Sequence, residues 1–224
     1  MKSKPRFAVI GIGRFGTAIA KKLAIKGAEV IAIDRSKDKI DKIKEHVTYS
    51  VALDSTDKNA LFSQNINEMD AVVVSIGEDF QALLLTTFIL QELNVKRIIV
   101  RAQGEAQKKI LKKMGIEELL SPEDEVSNNI TESLINPSVL LCVTLPDSYE
   151  IIEIKAPKNT IGRSIFDIRL REKYKINLIT LLRKRGDEHH ILGVPKQDTV
   201  IEEDDLILAF GLTKNVDRFI EINK

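Results

Sequence analysis

Along the first half of the chain, short unbroken apolar runs alternate with segments whose apolar residues recur every three or four positions. Residues 7–10 form a continuous apolar run, the pattern of a strand covered on both faces. Phe15, Ile19 and Leu23 then fall four apart, which places them on one face of a helix. The alternation continues with strands at 29–33, 48–53, 71–76, 97–100 and, more weakly, 117–120. Ile40 with Ile43, and Leu61 with Phe62, mark helices between them. Strands separated by helices of this length predict a doubly wound parallel sheet with helices on both faces.

Two helices break from the pattern. Residues 80–93 are apolar nearly all round, with Leu83, Leu84, Leu85, Phe88, Ile89 and Leu90 covering every face, so this helix is buried on more than one side. Either part of that surface meets another subunit, or the helix lies deep between the sheet and the tail. The second helix, 123–134, opens with Ser121 as N-cap and Pro122 at its first position. It carries one narrow stripe of Val126, Ile130 and Leu134, and Pro137 ends it. From Ser138 the chain turns to short strands at 139–145, 150–154, 176–182, 191–194 and 206–210, with helices only near 165–172 and 216–222. The expected organisation is an α/β domain over 1–136 including the connecting helix, a linker and connector strand over 137–148, and a small α+β domain over 149–224.

Composition excludes several classes. With 43% hydrophobic and 30% charged residues, a chain of 224 residues can bury a core, and general disorder is not expected. Lys and Arg total 34 against 33 Asp and Glu, so no nucleic-acid or membrane-surface binding is expected. A single cysteine, Cys142, excludes an internal disulfide framework and a cysteine-rich zinc site; its apolar strand marks it as a core residue. The longest apolar run, 82–90, contains two threonines and falls far short of the about 20 residues that span a bilayer. The start, MKSKPRFAVIG, passes from basic residues straight into the first strand, with no secretory apolar region. A soluble, cytoplasmic, globular protein without membrane insertion is expected.

The strongest chemical signal is Gly11-Ile12-Gly13-Arg14-Phe15-Gly16, directly after the first strand and opening the first helix. In such a loop the first glycine permits a tight turn, the second lets a pyrophosphate approach the backbone, and the third packs helix on strand. The helix N-terminus then faces the phosphates. Asp34 ends the second strand 18 residues after Gly16, where a carboxylate accepts hydrogen bonds from ribose hydroxyls and repels a 2′-phosphate. This is a Rossmann-like nucleotide site, against the plain alternatives of a tight turn and a helix cap. Asp54-Ser55-Thr56 follows the third strand at the same sheet edge, either to reach adenine or its ribose or to cap the next helix. Ile76-Gly77-Glu78 ends the fourth strand, where the sheet order reverses and ligands sit. Arg14 places a permanent cation inside the phosphate loop, suited to a terminal phosphate or else to a surface salt bridge.

Acid–base machinery is less evident. Of the three histidines, His46 lies near a helix end, and His189 and His190 sit in a charged stretch that reads as a hairpin turn. Neighbouring strand residues point to opposite faces, so the pair is a poor chelate. No Tyr-x-x-x-Lys pair, nucleophile elbow or zinc spacing is present. The chain looks built to hold a nucleotide rather than transform one, with a small NAD-dependent oxidoreductase as the alternative.

GIGRFG, Asp34, ALDSTD, SIGEDFQALLLTTFILQEL and RIIVRAQ, followed by a small α+β domain, closely resemble the RCK (TrkA-type) regulators of potassium channels and transporters, most of all the KtrA-type gating subunits. The resemblance covers essentially the whole chain. It implies a cytosolic, peripheral subunit that forms homo-oligomers, from dimers to octameric rings, under an integral membrane potassium channel or transporter. ATP and ADP are the implied ligands, with NAD and NADH as alternatives. The implied contacts are Gly11, Gly13, Arg14, Phe15, Gly16, Asp34, Arg35, Asp54, Ser55, Ile76, Gly77 and Arg101, with Arg14 on the ATP γ-phosphate. Glu123 matches a position that helps bind a divalent cation, Mg or Ca, between protomers, where its alternative is a favourable charge at a helix start. The second domain resembles a c-di-AMP module, with Arg171 and Asn177 as candidate contacts or, equally, a solvated helix end. The family's usual glycine after the tyrosine is Lys175 here, and the His189–His190 region is longer. An NADH-responsive regulator of potassium efflux or antiport stays open beside the uptake reading.

Overall fold

In the computed structural model, which describes residues 4–224, the chain divides between Asp124 and Glu125 into two units. The first runs β1 (Arg6–Ile10), α1 (Arg14–Ile25), β2 (Glu29–Asp34), α2 (Lys37–Ile43), β3 (Tyr49–Ala52), α3 (Lys58–Phe62), β4 (Ala71–Val74), α4 (Phe80–Glu92), β5 (Ile98–Arg101), α5 (Gly104–Lys113) and β6 (Glu118–Leu120). The six strands are parallel in the order β3-β2-β1-β4-β5-β6. The winding direction therefore reverses between β1 and β4, and a crevice opens at the carboxyl ends of those strands.

Alternation along the strands divides the core in two. Ala8, Ile10, Ile31, Ile33, Val72 and Val74 point to one face, where Leu61, Leu83, Leu90 and Leu111 cover them. Val9, Val30, Ala32 and Val73 point to the other and meet Ala20, Ile40 and Ile43. With helices on both faces, every residue of β4 is buried, which is why it reads as an unbroken AVVV. The apolar helix α4 buries Leu83, Thr86, Thr87, Ile89 and Leu90, yet leaves Leu85 and Phe88 about half exposed. Asp79 caps it by accepting from the Ala82 amide at 2.9 Å.

The chain continues with α6 (Pro122–Ile135), β7 (Val139–Thr144), β8 (Tyr149–Lys155), α7 (Ile165–Ile168), a π-helical turn over Leu170–Tyr174, β9 (Asn177–Arg185), β10 (Glu188–Ile191), β11 (Leu206–Leu212) and α8 (Thr213–Asn223). These strands form an antiparallel sheet in the order β10-β9-β11-β8-β7. The residues expected as a linker and connector strand, 137–148, contain β7, which pairs with β8 at the sheet edge. Cys142 is buried there, as expected.

Three expectations are corrected. His189 and His190 lie in a strand, not a turn, opposite Lys184 and Arg183. The turn falls at Gly186, whose φ of +64° suits glycine, and Gly193 at φ +78° lies in the loop where strand 191–194 was expected. The helix expected over 165–172 stops at Ile168, because Arg169 takes a left-handed conformation and the π turn follows. No helix among the described residues is long and apolar enough to cross a membrane.

Candidate nucleotide site

The loop between β1 and α1 is held at both ends. The Gly11 amide donates to the Ile33 carbonyl at 2.8 Å, with Gly11 at φ +92°. The next amide, of Ile12, donates to Asp34 Oδ2 at 2.7 Å, while the Ser36 amide donates to Oδ1 at 2.8 Å and Lys39 Nζ lies 3.3 Å from Oδ2. Asp34 is thus an anchor of the glycine loop as well as a carboxylate at the ribose position of such folds. It is 6% exposed.

Each glycine then does a different thing. A Cβ on Gly16 would stand 2.0 Å from the Gly11 carbonyl oxygen and 2.5 Å from Ser75 Oγ, so α1 can approach the loop only with glycine there. Ser75, which the sequence reading passed over, donates to that same carbonyl at 2.6 Å and braces the turn from β4. Gly13 is the opposite case: a Cβ there would meet nothing within 4 Å. Gly13 is also the N-cap of α1, with no side-chain cap and no acidic residue in the first turn. The first amides of a helix have no acceptor within it. Here the N-cap carries no side chain and the space beside it is open, an arrangement suited to an anion.

Around this loop, Arg14 is exposed and makes no ion pair among the described residues. Arg35 is 74% exposed and lies 3.6 Å from Asp79. Asp54 accepts from both the amide and the hydroxyl of Thr56, and these bonds hold its carboxyl below the usual range. The cap of α3 is Asp57, not Asp54. Ser55 turns inward instead, with its hydroxyl 2.8 Å from Thr86 on α4.

Arg101, the last residue of β5, reaches across the crevice. Its guanidinium sits 5.5 Å from the centre of the Phe15 ring on α1. Its Nη1 lies against Gly77, 2.9 Å from where a Cβ would be. It forms an ion pair with Glu123 in the first turn of α6, and its Nε is buried without a hydrogen-bond partner. The Glu123 carboxyl is held below its usual range first by its own backbone amide and then by Arg101. Asp124 beside it pairs with Lys108 at 2.7 Å. Among the described residues no group of three His, Cys, Asp or Glu side chains comes together. Glu123 thus offers one carboxylate, which is paired with Arg101.

In the second unit, Arg171 in the π turn and Asn177 at the start of β9 are both exposed. Tyr174 between them is buried, edge-on to Phe219 and hydrogen-bonded to Asn223. Lys175 has φ +58°, so the backbone keeps the left-handed conformation that a glycine would adopt more easily.

Residues 7–122 match the TrkA-N domain and residues 149–224 the TrkA-C domain. The chain is 36% identical over 216 residues to Ktr system potassium uptake protein C of Bacillus subtilis, covering 96% of each. It is 35% identical over 214 residues to Ktr system potassium uptake protein A of the same organism, covering 96% of this chain and 95% of that one. Among solved structures, the GsuK channel bound to NAD has a similar fold, with a TM-score of 0.56, 22% identity, and coverage of 99% of this chain and 38% of the channel.

Proposed function

The chain belongs to the TrkA-type family of potassium-transport proteins, with a TrkA-N domain followed by a TrkA-C domain, and on that premise we propose that it is a nucleotide-sensing regulatory subunit of a potassium uptake system. It acts without catalysing a reaction, at the cytoplasmic side of a membrane potassium transporter, as a homo-oligomer. ATP and ADP favour different conformations of that assembly, and the difference sets transport. A ligand with equal affinity for two conformations shifts nothing, so the site must tell the nucleotides apart.

Arg14 carries this reading. It is an exposed guanidinium with no ion pair among the described residues, on the first residue of a helix whose N-terminal amides suit an anion. A charge-assisted contact to a γ-phosphate contributes about 1.5–3 kcal/mol, within the about 1–3 kcal/mol typical of coupling between sites. The proposal extends to Glu123 as one ligand of a cation shared between protomers, and to Arg171 and Asn177 as contacts for c-di-AMP. Isothermal calorimetry on the wild type and Arg14→Ala tests the central claim. Arg14→Ala weakens ATP binding by about 10- to 150-fold and leaves ADP nearly unchanged. Equal losses for both nucleotides would overturn the γ-phosphate role. NADH binding tighter than ATP, or hydrolysis of ATP by the purified protein, would overturn the reading as a whole.

A further inference from the structure

Arg101 is placed to answer two anions, not one. Arginine offers five N–H donors in a rigid fork. Of these, Nη2 reaches Glu123, Nη1 lies on Gly77, and Nε is buried with no partner. The guanidinium plane is fixed over Phe15, the second residue of α1, whose first-turn amides make the anion site. The Arg101 side chain is only 16% exposed, whereas the Glu123 side chain is 55% exposed. The cation is therefore held beside the phosphate loop, and its carboxylate partner is the group free to swing into water. Glu123 belongs to the first turn of α6, the helix that leaves the nucleotide-binding unit and runs on to Ile135.

We infer that Arg101 is a latch shared between the Glu123 carboxylate and a ligand phosphate, so that phosphate binding loosens the start of α6 and a held α6 weakens phosphate binding. The inference rests on the nucleotide reading above and adds the route by which occupancy leaves the site. Coupling of this kind is reciprocal: whatever the ion pair takes from ligand affinity, the ligand takes from the ion pair. With no metal present, Glu123 is then a positioning residue that acts on the nucleotide through Arg101, and its removal strengthens metal-free nucleotide binding.

Calorimetry with ATP, ADP and NAD, in EDTA so that no metal takes part, on the wild type, Glu123→Gln, Arg101→Gln and the double variant tests it. Melting curves establish that each variant is folded. Glu123→Gln is expected to tighten ATP binding about two- to fivefold, the range for a partly exposed ion pair. In the Arg101→Gln background the same change gives no gain. Hydrogen exchange at the amides of residues 123–126 quickens when ATP binds the wild type and does not in Glu123→Gln. Unchanged or weaker binding by Glu123→Gln overturns the latch. A gain that persists without Arg101 also overturns it, because it then reflects simple repulsion between carboxylate and phosphate. A wild type that binds none of the three nucleotides removes the nucleotide reading and the latch together, whereas one that binds while Glu123→Gln matches it removes the latch alone.

Discussion

Gly13 and Gly16 stand three positions apart in one motif and answer to different forces. Gly16 has its own carbonyl-lined wall, with Gly11 oxygen where a Cβ would go, so Gly16→Ala pushes helix from strand. Overpacking of this kind costs about 1–3 kcal/mol, and a lowered melting temperature measures it. Gly13 at φ −81° tolerates a side chain, and the space beside it is open. Gly13→Ala is therefore expected to melt near the wild type while losing at least about tenfold in ATP affinity, about 1.4 kcal/mol, because its methyl enters the path of the phosphate. A Gly13→Ala protein that binds ATP normally would mean the open side of the loop is not the ligand side. The motif spacing in the sequence told these two glycines apart in principle. What it left out were partners distant in the chain: the Ile12 amide on Asp34, 22 residues on, and Ser75 on the Gly11 carbonyl, 64 residues on. The ion pair of Arg101 with Glu123 is of the same kind, visible only once the end of β5 is brought to the start of α6.

Elements were legible wherever a period of two or of three to four ran unbroken, which is why all six parallel strands stand close to where the apolar runs put them. Boundaries failed where a single backbone angle decided them, as at Arg169, Gly186 and Gly193. The strand period also has a chemical consequence in β8. Its buried positions are 150, 152 and 154, so the register that turns Ile152 and Ile154 inward turns Glu150 inward too. Burial raises the Glu150 carboxyl above its usual value, Asp217 and Glu132 add to the rise, and hydrogen bonds from Cys142 and Thr213 oppose it. The Cys142 thiol is itself pushed up to about 12, chiefly by burial and then by Glu150, so it stays protonated and donates. A carboxyl raised on folding favours the protonated fold. Its stabilising effect is full in acid and is lost as pH climbs from the ordinary value of 4.5 through the raised one. Glu150→Gln keeps the acceptor and removes the charge. It is expected to melt above the wild type at pH 8, with the gap closing toward pH 4. A variant that melts below the wild type at pH 8 would show that the charged form is the one the fold prefers.

At the scale of the whole molecule, the apolar surface that α6 presents is left uncovered among the described residues. None of its residues is buried, and Val126, Ile130 and Leu134 are 57%, 54% and 75% exposed along one stripe. Leu85 and Phe88 on α4 add further exposed apolar surface. The period of the stripe was readable from the sequence, but not what lies against it, because hydrophobic burial records only that water is excluded and not by which chain. Burying each of these side chains contributes about 1.5–3 kcal/mol, enough that leaving the whole stripe in water is unfavourable for an isolated subunit. The proposed homo-oligomer supplies the cover. Ile130→Glu sets a charge in the middle of the stripe without touching the core of either unit. Sedimentation is expected to show a smaller species for this variant than for the wild type, with ATP affinity and the far-ultraviolet spectrum retained. Identical sedimentation of the two proteins as oligomers would move the subunit contact away from α6. A wild type that is already monomeric would instead make the membrane transporter the partner that covers the stripe, and pull-down by that transporter would then be the property lost in Ile130→Glu.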